Sequence, residues 1–279
     1  MDAPYARLEP VAPGIARVLA HNPSAFTYFG TQTYLLGTSE LALIDPGPDL
    51  PEHVDALLEA IAGRPLGAIL VTHTHRDHSP AAGPLSEATG APIIGCAPVV
   101  TDGTGLEAGF DDGYAPDRVL RDGEEIVVDG DPLTAVATPG HTSNHLCFAW
   151  RGGLFSGDHV MGWSTTVVVP PDGDMAQYMA SLDKLRSRDE AVYYPAHGPA
   201  ITNPQQYVRH LIGHRMQREK QIARLVAEQP RAVLDIVANA YPSLDPRLIN
   251  AAGASVLAHL VDLERRGLVV REGDLWSAA

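Results

Sequence analysis

Ala68-Ile69-Leu70-Val71-Thr72-His73-Thr74-His75-Arg76-Asp77-His78 joins an apolar run to four side chains that bind transition metals, His73, His75, Asp77 and His78, gathered within six residues. The apolar part reads as a buried strand, so a bound metal would sit at a strand end. Residues two apart on an extended chain point to the same side. His73 and His75 can therefore share one cation, while Asp77 and His78, on the turn that follows, can face a second. The spacing points to two metals. The alternative is a chance cluster in a chain that carries 12 His.

The same pattern, a donor just beyond an apolar strand and beside Gly, recurs three times: Thr138-Pro139-Gly140-His141, Phe155-Ser156-Gly157-Asp158 and Pro195-Ala196-His197-Gly198. Singly, each of these donors would be an ordinary turn residue. Together with the first cluster they make a coherent set. A site of His73, His75 and His141 and a site of Asp77, His78 and His197, bridged by Asp158, suit two Zn²⁺, with Mn²⁺ or Fe²⁺ also compatible with imidazole and carboxylate donors. Neither site has a full complement of protein ligands. A water bridging the metals would have its pKa lowered from about 15.7 to about 7, and metals about 3.5–4 Å apart can assist both attack and departure. The chemistry expected is hydrolysis by a metal-bridging hydroxide. Asp77, His145 and His159 are the candidate catalytic residues: His145 follows His141 by four positions and His159 adjoins Asp158, so either could protonate a leaving group. The alternative for both is a hydrogen-bonded structural role. Asp45, closing the run Leu41-Ala42-Leu43-Ile44, is either a turn former or a carboxylate that orients a metal-bound His. Gly162-Trp163-Ser164-Thr165-Thr166 either lines a substrate pocket or is a packed connection.

Length and composition set the frame. A chain of 279 residues, 45% apolar, can bury a large core and fits one domain with a small appendage. No stretch joins a basic region to an apolar run of signal-peptide length, and none approaches the roughly 18 apolar residues of a membrane span. The expectation is a soluble, cytoplasmic protein without membrane contact. Cys96 and Cys147 belong to no Cys-x-x-Cys pattern and are expected to be reduced core residues. The formal net charge of −14 is uneven: residues 1–204 carry 10 Lys+Arg against 26 Asp+Glu, whereas residues 205–279 carry 10 against 8.

That asymmetry coincides with a domain boundary. Up to residue 204 the pattern is strands and helices: a strand near 15–19, a hairpin at 33–36 and 41–44, a helix at 51–62 with Asp49 available to cap it, and a helix at 81–88 before a strand at 92–95. Short strands at 125–128, 133–138, 146–150 and 154–155 follow with tight antiparallel connections, then a helix at 175–188 and a strand at 191–194. Residues 205–279 read as a separate module: a long amphipathic helix at 205–229 stopped by Pro230, helices at 233–240 and 248–266, and a short hairpin. Three helices and a hairpin is the winged-helix layout. Arg209, Arg215, Arg218, Lys220 and Arg224 on the long helix are either a nucleic-acid contact or a solvated face; packing and homodimerisation are the other uses of the tail.

H-x-H-x-D-H with His141, Asp158 and His197 downstream resembles the metallo-β-lactamase fold over residues 15–200. The resemblance implies an α+β, four-layer αββα sandwich with a binuclear metal site, here followed by the winged-helix domain. Gly162-Trp163-Ser164-Thr165-Thr166, the helix with Tyr178-Met179-Ala180-Ser181-Leu182, and Pro230-Arg231-Ala232-Val233 look like the lactamase-beta-two-like branch, which implies an endoribonuclease cutting single-stranded RNA. Asp158 stands where class B1 β-lactamases have Cys, His75 where flavo-diiron proteins have Glu, and the chain is too short for the extra domain of β-CASP nucleases. A glyoxalase-II-like thioester hydrolase, or a hydrolase of small esters or lactones, shares the ligand set and remains the alternative. A winged-helix regulator with an inert fold is disfavoured because no ligand position is missing.

Overall fold

The computed structural model describes residues 4–99 and 109–279. The chain forms two compact units that alternate along the sequence: Met1–Thr138, Asn144–Ser164 and Asp189–Asn203 make the first, and Pro139–Ser143, Thr165–Arg188 and Pro204–Ala279 the second.

The first unit is built on two sheets. One has seven strands in sequence order, β1 (Leu8–Ala12), β2 (Ile15–Leu19), β3 (Gln32–Leu36), β4 (Leu41–Ile44), β5 (Leu66–Val71), β6 (Ile93–Gly95) and β7 (Arg118–Val119). The first four pair antiparallel and the rest parallel. The crossovers from β4 to β5 and from β5 to β6 are α1 (Pro51–Ile61) and α2 (Ala82–Thr89), since parallel neighbours need a long connection. Every residue of β4 is buried, as is Ala68-Ile69-Leu70-Val71 of β5, which explains why these strands read as unbroken apolar runs. The second sheet has the order β12-β11-β10-β9-β8, from β8 (Glu125–Val128), β9 (Asp131–Ala137), β10 (Leu146–Trp150), β11 (Gly153–Gly157) and β12 (Val192–Pro195).

The sheets share one core. Tyr34 and Leu36 of the first belong to the same buried cluster as Phe148, Phe155 and Tyr194 of the second. Tyr34 meets Phe155 edge-on at 5.1 Å and donates its hydroxyl hydrogen to Pro195 O at 2.8 Å. Each fully buried Leu, Ile or Phe contributes about 1.5–3 kcal/mol. Leu57 and Ile61 of α1 and Leu85 of α2 join the cluster, which is why one face of each helix is apolar.

Two parallel pairs decide where chemistry can occur. Ile44 of β4 lies opposite Leu70 of β5, so Asp45 and Thr72 emerge next to one another; Phe155 of β11 lies opposite Tyr194 of β12, so Asp158 and His197 do the same.

Several details depart from the sequence reading. Asp49 does not cap α1: the N-cap is Leu50, with no side-chain bond, and Pro51 at the first turn has no N–H to satisfy. β1 is an additional strand; it is half-exposed and carries Pro10, so it shows no clean alternation. Cys96 and Cys147 are buried, as expected, and no disulfide joins them. No helix among the described residues is long and apolar enough to cross a membrane.

In the second unit α3 (Met175–Arg186) is capped by Asp174, whose carboxylate accepts Gln177 N–H at 3.0 Å. Then come α4 (Pro204–Glu228), α5 (Val233–Ala240), a 3₁₀ turn at Pro246–Leu248, α6 (Ile249–Arg265) and the hairpin β13 (Val269–Glu272) and β14 (Leu275–Ala278). Ile222, Val226, Ile236, Leu260 and Trp276 form its core. The cations of α4 are not one stripe. Arg215 is 3% exposed, donates to Thr166 O and lies over the Tyr178 ring, while Arg218 lies 3.9 Å over Tyr241 and donates to Ala240 O at 2.7 Å. Both are packing residues with buried stems. Arg209, Lys220 and Arg224 are exposed.

Candidate metal centre

Asp45 anchors the site. Its side chain is 2% exposed; Oδ1 accepts Thr72 N–H at 2.8 Å, and Oδ2 accepts both Thr72 Oγ1–H at 2.8 Å and His78 Nδ1–H at 3.0 Å. Having given its proton to Asp45, the Thr72 hydroxyl accepts His73 Nδ1–H at 3.0 Å. His197 Nδ1–H donates to Gly30 O at 3.2 Å, and in the second unit His141 Nδ1–H donates to Val167 O at 2.7 Å. Four imidazoles thus commit Nδ1 to protein acceptors, which fixes the tautomer and leaves the lone pair on Nε2.

Those lone pairs meet other acceptors. His197 Nε2 lies 3.1 Å from Asp77 Oδ2 and 3.3 Å from Asp158 Oδ1; His78 Nε2 lies 3.5 Å and 3.6 Å from the same two oxygens. His73 Nε2, by contrast, can accept His75 Nδ1–H at 3.0 Å. His78 Nε2 is fully buried and makes no hydrogen bond. Lone pairs turned on each other in a buried site require a shared cation or added protons.

The protonation preferences say the same. Burial pushes His197 down, but Asp158 and Asp77 outweigh it and raise its pKa to about 10. His78 is likewise driven down by burial and, more strongly, well up by Asp77, Asp158 and Asp45. Burial works upward on Asp77 and Asp158, yet His78 and His197 hold both carboxyls below the usual range. The cluster demands positive charge at its centre. Asp77, His78 and His197 form one group with ligand atoms within 4.8 Å of one another, and His73, His78 and Asp158 another. This donor set fits two divalent cations.

His145 and His159 lie beside the cluster and are 1% and 0% exposed. His145 donates Nδ1–H to Thr138 Oγ1 at 2.8 Å and accepts Asp158 N–H on Nε2 at 3.3 Å, so it holds the turn that presents Asp158. The His159 ring is 5.7 Å from that of His145. Met161 is buried, and Trp163 stacks on Tyr28 at 5.1 Å.

Thr72, Gly30 and Thr31 are participants that sequence reasoning does not single out. Thr31 Oγ1 donates to Asp77 Oδ2 at 3.4 Å. Thr72 stands between the apolar run and His73, where a hydroxyl at a strand end is a visible if modest signal. Gly30 acts through its carbonyl, which has no residue signature.

The sequence model of the metallo-beta-lactamase superfamily matches residues 27–197, and that of the beta-lactamase associated winged helix domain matches residues 232–276. A beta-lactamase-like protein 2 homolog of Drosophila melanogaster is 34% identical over 91% of this chain and 88% of its own length. An atrochrysone carboxyl ACP thioesterase of Paecilomyces divaricatus is 34% identical over 78% of this chain and 66% of its own. Among solved structures, a beta-lactamase domain protein from Burkholderia ambifaria superposes with a TM-score of 0.85 over 100% of this chain and 95% of its own, at 23% identity. Donors seated at the ends of two parallel strand pairs, a superfamily match over more than half of its length and the winged-helix match behind it establish that this chain belongs to the metallo-beta-lactamase superfamily and carries the associated winged helix domain.

Proposed function

We propose that the chain is a binuclear-metal hydrolase of acyl thioesters, in which His73, His75, Asp77, His78, Asp158 and His197 of the first unit hold the cations. The observation that carries this reading is the pair of Nε2 lone pairs, on His78 and His197, turned on the oxygens of Asp77 and Asp158. Zinc suits the donors best. When bound, the cations supply Lewis acidity and a water acidified to near neutrality. In the reaction water adds to the thioester carbonyl carbon, the C–S bond breaks, and a carboxylic acid and a thiol leave.

The chain's own residues do the positioning. Asp45 orients His78 directly and His73 through Thr72; His145 fixes the backbone of Asp158; Gly30 O orients His197. With both ring nitrogens of His145 engaged and neither His145 nor His159 open to solvent, leaving-group protonation is assigned to neither; a thiolate needs less help than an alkoxide. The thioester is supported by the activity in the name of the fungal relative and by the charge of residues 1–204, where 26 acidic side chains oppose 10 basic ones and would repel a long polyanion.

Cleavage of single-stranded RNA is the second reading, favoured by the exposed Arg209, Lys220 and Arg224 of α4. It has fewer cations to draw on than the sequence promises, because Arg215 and Arg218 are packed.

The test is turnover by the metal-loaded protein of an acetyl thioester and of an unstructured RNA oligonucleotide, each against His78→Ala. Thioester hydrolysis abolished by the substitution upholds the first reading. RNA cleavage abolished by it, without thioester turnover, replaces the first with the second.

A further inference from the structure

Phe26, Tyr28 and Phe29, at 49%, 39% and 41%, are the exposed Phe, Tyr and Trp side chains among the described residues, and all lie on one loop of the first unit, residues 22–30. Leaving so much aromatic surface in water is costly. The loop is nonetheless tightly tied. Asn22 Oδ1 accepts Thr31 N–H at 2.9 Å, Asn22 Nδ2 donates to Thr31 Oγ1 at 3.0 Å, and Thr27 Oγ1 donates to Asn22 O at 2.6 Å. Ser24 Oγ accepts the amides of Phe26 and Thr27 at 3.0 and 3.1 Å. Tyr28 is held at φ +59°, a conformation uncommon for a bulky residue, and such strain gathers where function needs it.

The loop ends on the donor set. Gly30 O accepts His197 Nδ1–H, and Thr31 Oγ1 reaches Asp77. On the other side of His197, Gly198 lies against Trp163, so closely that a Cβ there would stand 2.8 Å from Trp163 Cδ1. Tyr28 stacks on Trp163 with planes 30° apart, and Phe29 adjoins Tyr28 at 4.2 Å. A row of π faces therefore runs from the residue next to His197 outward to solvent.

We propose that Phe26, Tyr28, Phe29 and Trp163 form the acyl subsite of the hydrolase and select a flat aromatic acyl group whose carbonyl is presented to the metal donors. This rests on the thioester reading. A pre-ordered aromatic ledge takes a flat ring by stacking at little entropic cost and keeps water from its face. A short aliphatic acyl group would leave the ledge wet.

Calorimetric titration of the metal-loaded, full-length protein with 2-naphthoate and with acetate tests the subsite, comparing wild type with the double variant Phe26→Ser/Phe29→Ser. Both positions are exposed, so melting temperature and metal content should not change. The wild type should bind 2-naphthoate at least about tenfold more tightly than acetate, and the double variant should lose most of that preference. Equal affinity of the wild type for the two acids, or an undiminished preference in the variant, overturns the subsite. So does a loss of RNA binding in the variant without any naphthoate preference, which would place nucleobases on the ledge. Turnover of S-acetyl and S-naphthoyl esters of one thiol reads the underlying activity separately. Acetyl turnover without an aromatic preference overturns the subsite and keeps the hydrolase; no turnover of either ester overturns thioester hydrolysis and, with it, the acyl role.

Discussion

Asp45 Oδ2 holds His78 Nδ1 at 3.0 Å while the same carboxylate takes the amide and the hydroxyl of Thr72, so one buried acid sets the ring that lies between the two groups of donors. His78 can act with Asp77 and His197 or with His73 and Asp158. Asp45→Asn puts an amide where three donors converge and leaves at least one of them unsatisfied. The expected outcome is a loss of about 10–100-fold in metal affinity, read by competition with a chelator, in a protein that still folds. Unchanged affinity would show that Asp45 only closes a turn.

Gly157 is fixed by what surrounds it. It adopts φ +49°, and a Cβ would lie 2.7 Å from His145 Nε2 and 2.8 Å from Thr72 Oγ1, two groups that position Asp158 and His73. Gly157→Ala should destabilise the fold by about 1–3 kcal/mol through backbone strain and in addition weaken metal binding. Gly130→Ala, at φ +86° with nothing within 4 Å, is the control that carries the strain alone. Thermal melts with and without metal separate the two; equal behaviour of both variants would refute the crowding.

Much of this site can be read from the chain, and the gaps have physical causes. His73, His75, Asp77 and His78 announce themselves because a strand end gathers them in six residues. Asp158 and His197 show as donors after apolar runs, but that β11 and β12 are parallel, which sets them side by side, depends on a crossover of more than thirty residues. Asp45 is open between turn former and orienting carboxylate in the sequence and is both in the structure: its φ is +50° and its oxygens hold Thr72 and His78. Arg215 illustrates a different limit. Long aliphatic stems let a cation occupy an apolar position, so helical periodicity cannot tell a solvated Arg from a buried one.

His259 in α6 is 1% exposed, and neither ring nitrogen makes a hydrogen bond. Burial, with Arg215 and Arg218 adding repulsion, pushes its pKa down to about 3. Between that value and the unfolded value near 6.5 the unfolded chain binds a proton that the folded chain refuses. Stability from this residue is therefore complete above about pH 6.5 and is lost as the pH falls, by about 2 kcal/mol at pH 5. His259→Leu should remove that slope and raise the melting temperature more at pH 5 than at pH 7.5. Equal gains at both pH values would mean that the imidazole is charged or satisfied in the folded state.

The cations of α4 divide by burial, and substitution should divide them the same way. Arg215→Met removes a hydrogen bond to Thr166 O and the contact with Tyr178, and is expected to cost about 1–3 kcal/mol, as truncation of a buried, bonded charge does. Replacing Arg209, Lys220 and Arg224 together by Gln removes only exposed charge, apart from an ion pair of Arg224 with Glu228 at 3.7 Å, and should alter stability by less than about 1 kcal/mol. If single-stranded RNA follows this helix, the triple variant loses up to three phosphate contacts, and the slope of log affinity against log salt should fall by about 2, at roughly 0.7 per contact. Thioester turnover should be indifferent to the triple substitution, because all the proposed donors precede residue 198. A salt slope that is the same in wild type and triple variant would remove α4 as an RNA path and leave the winged helix to assembly or to packing.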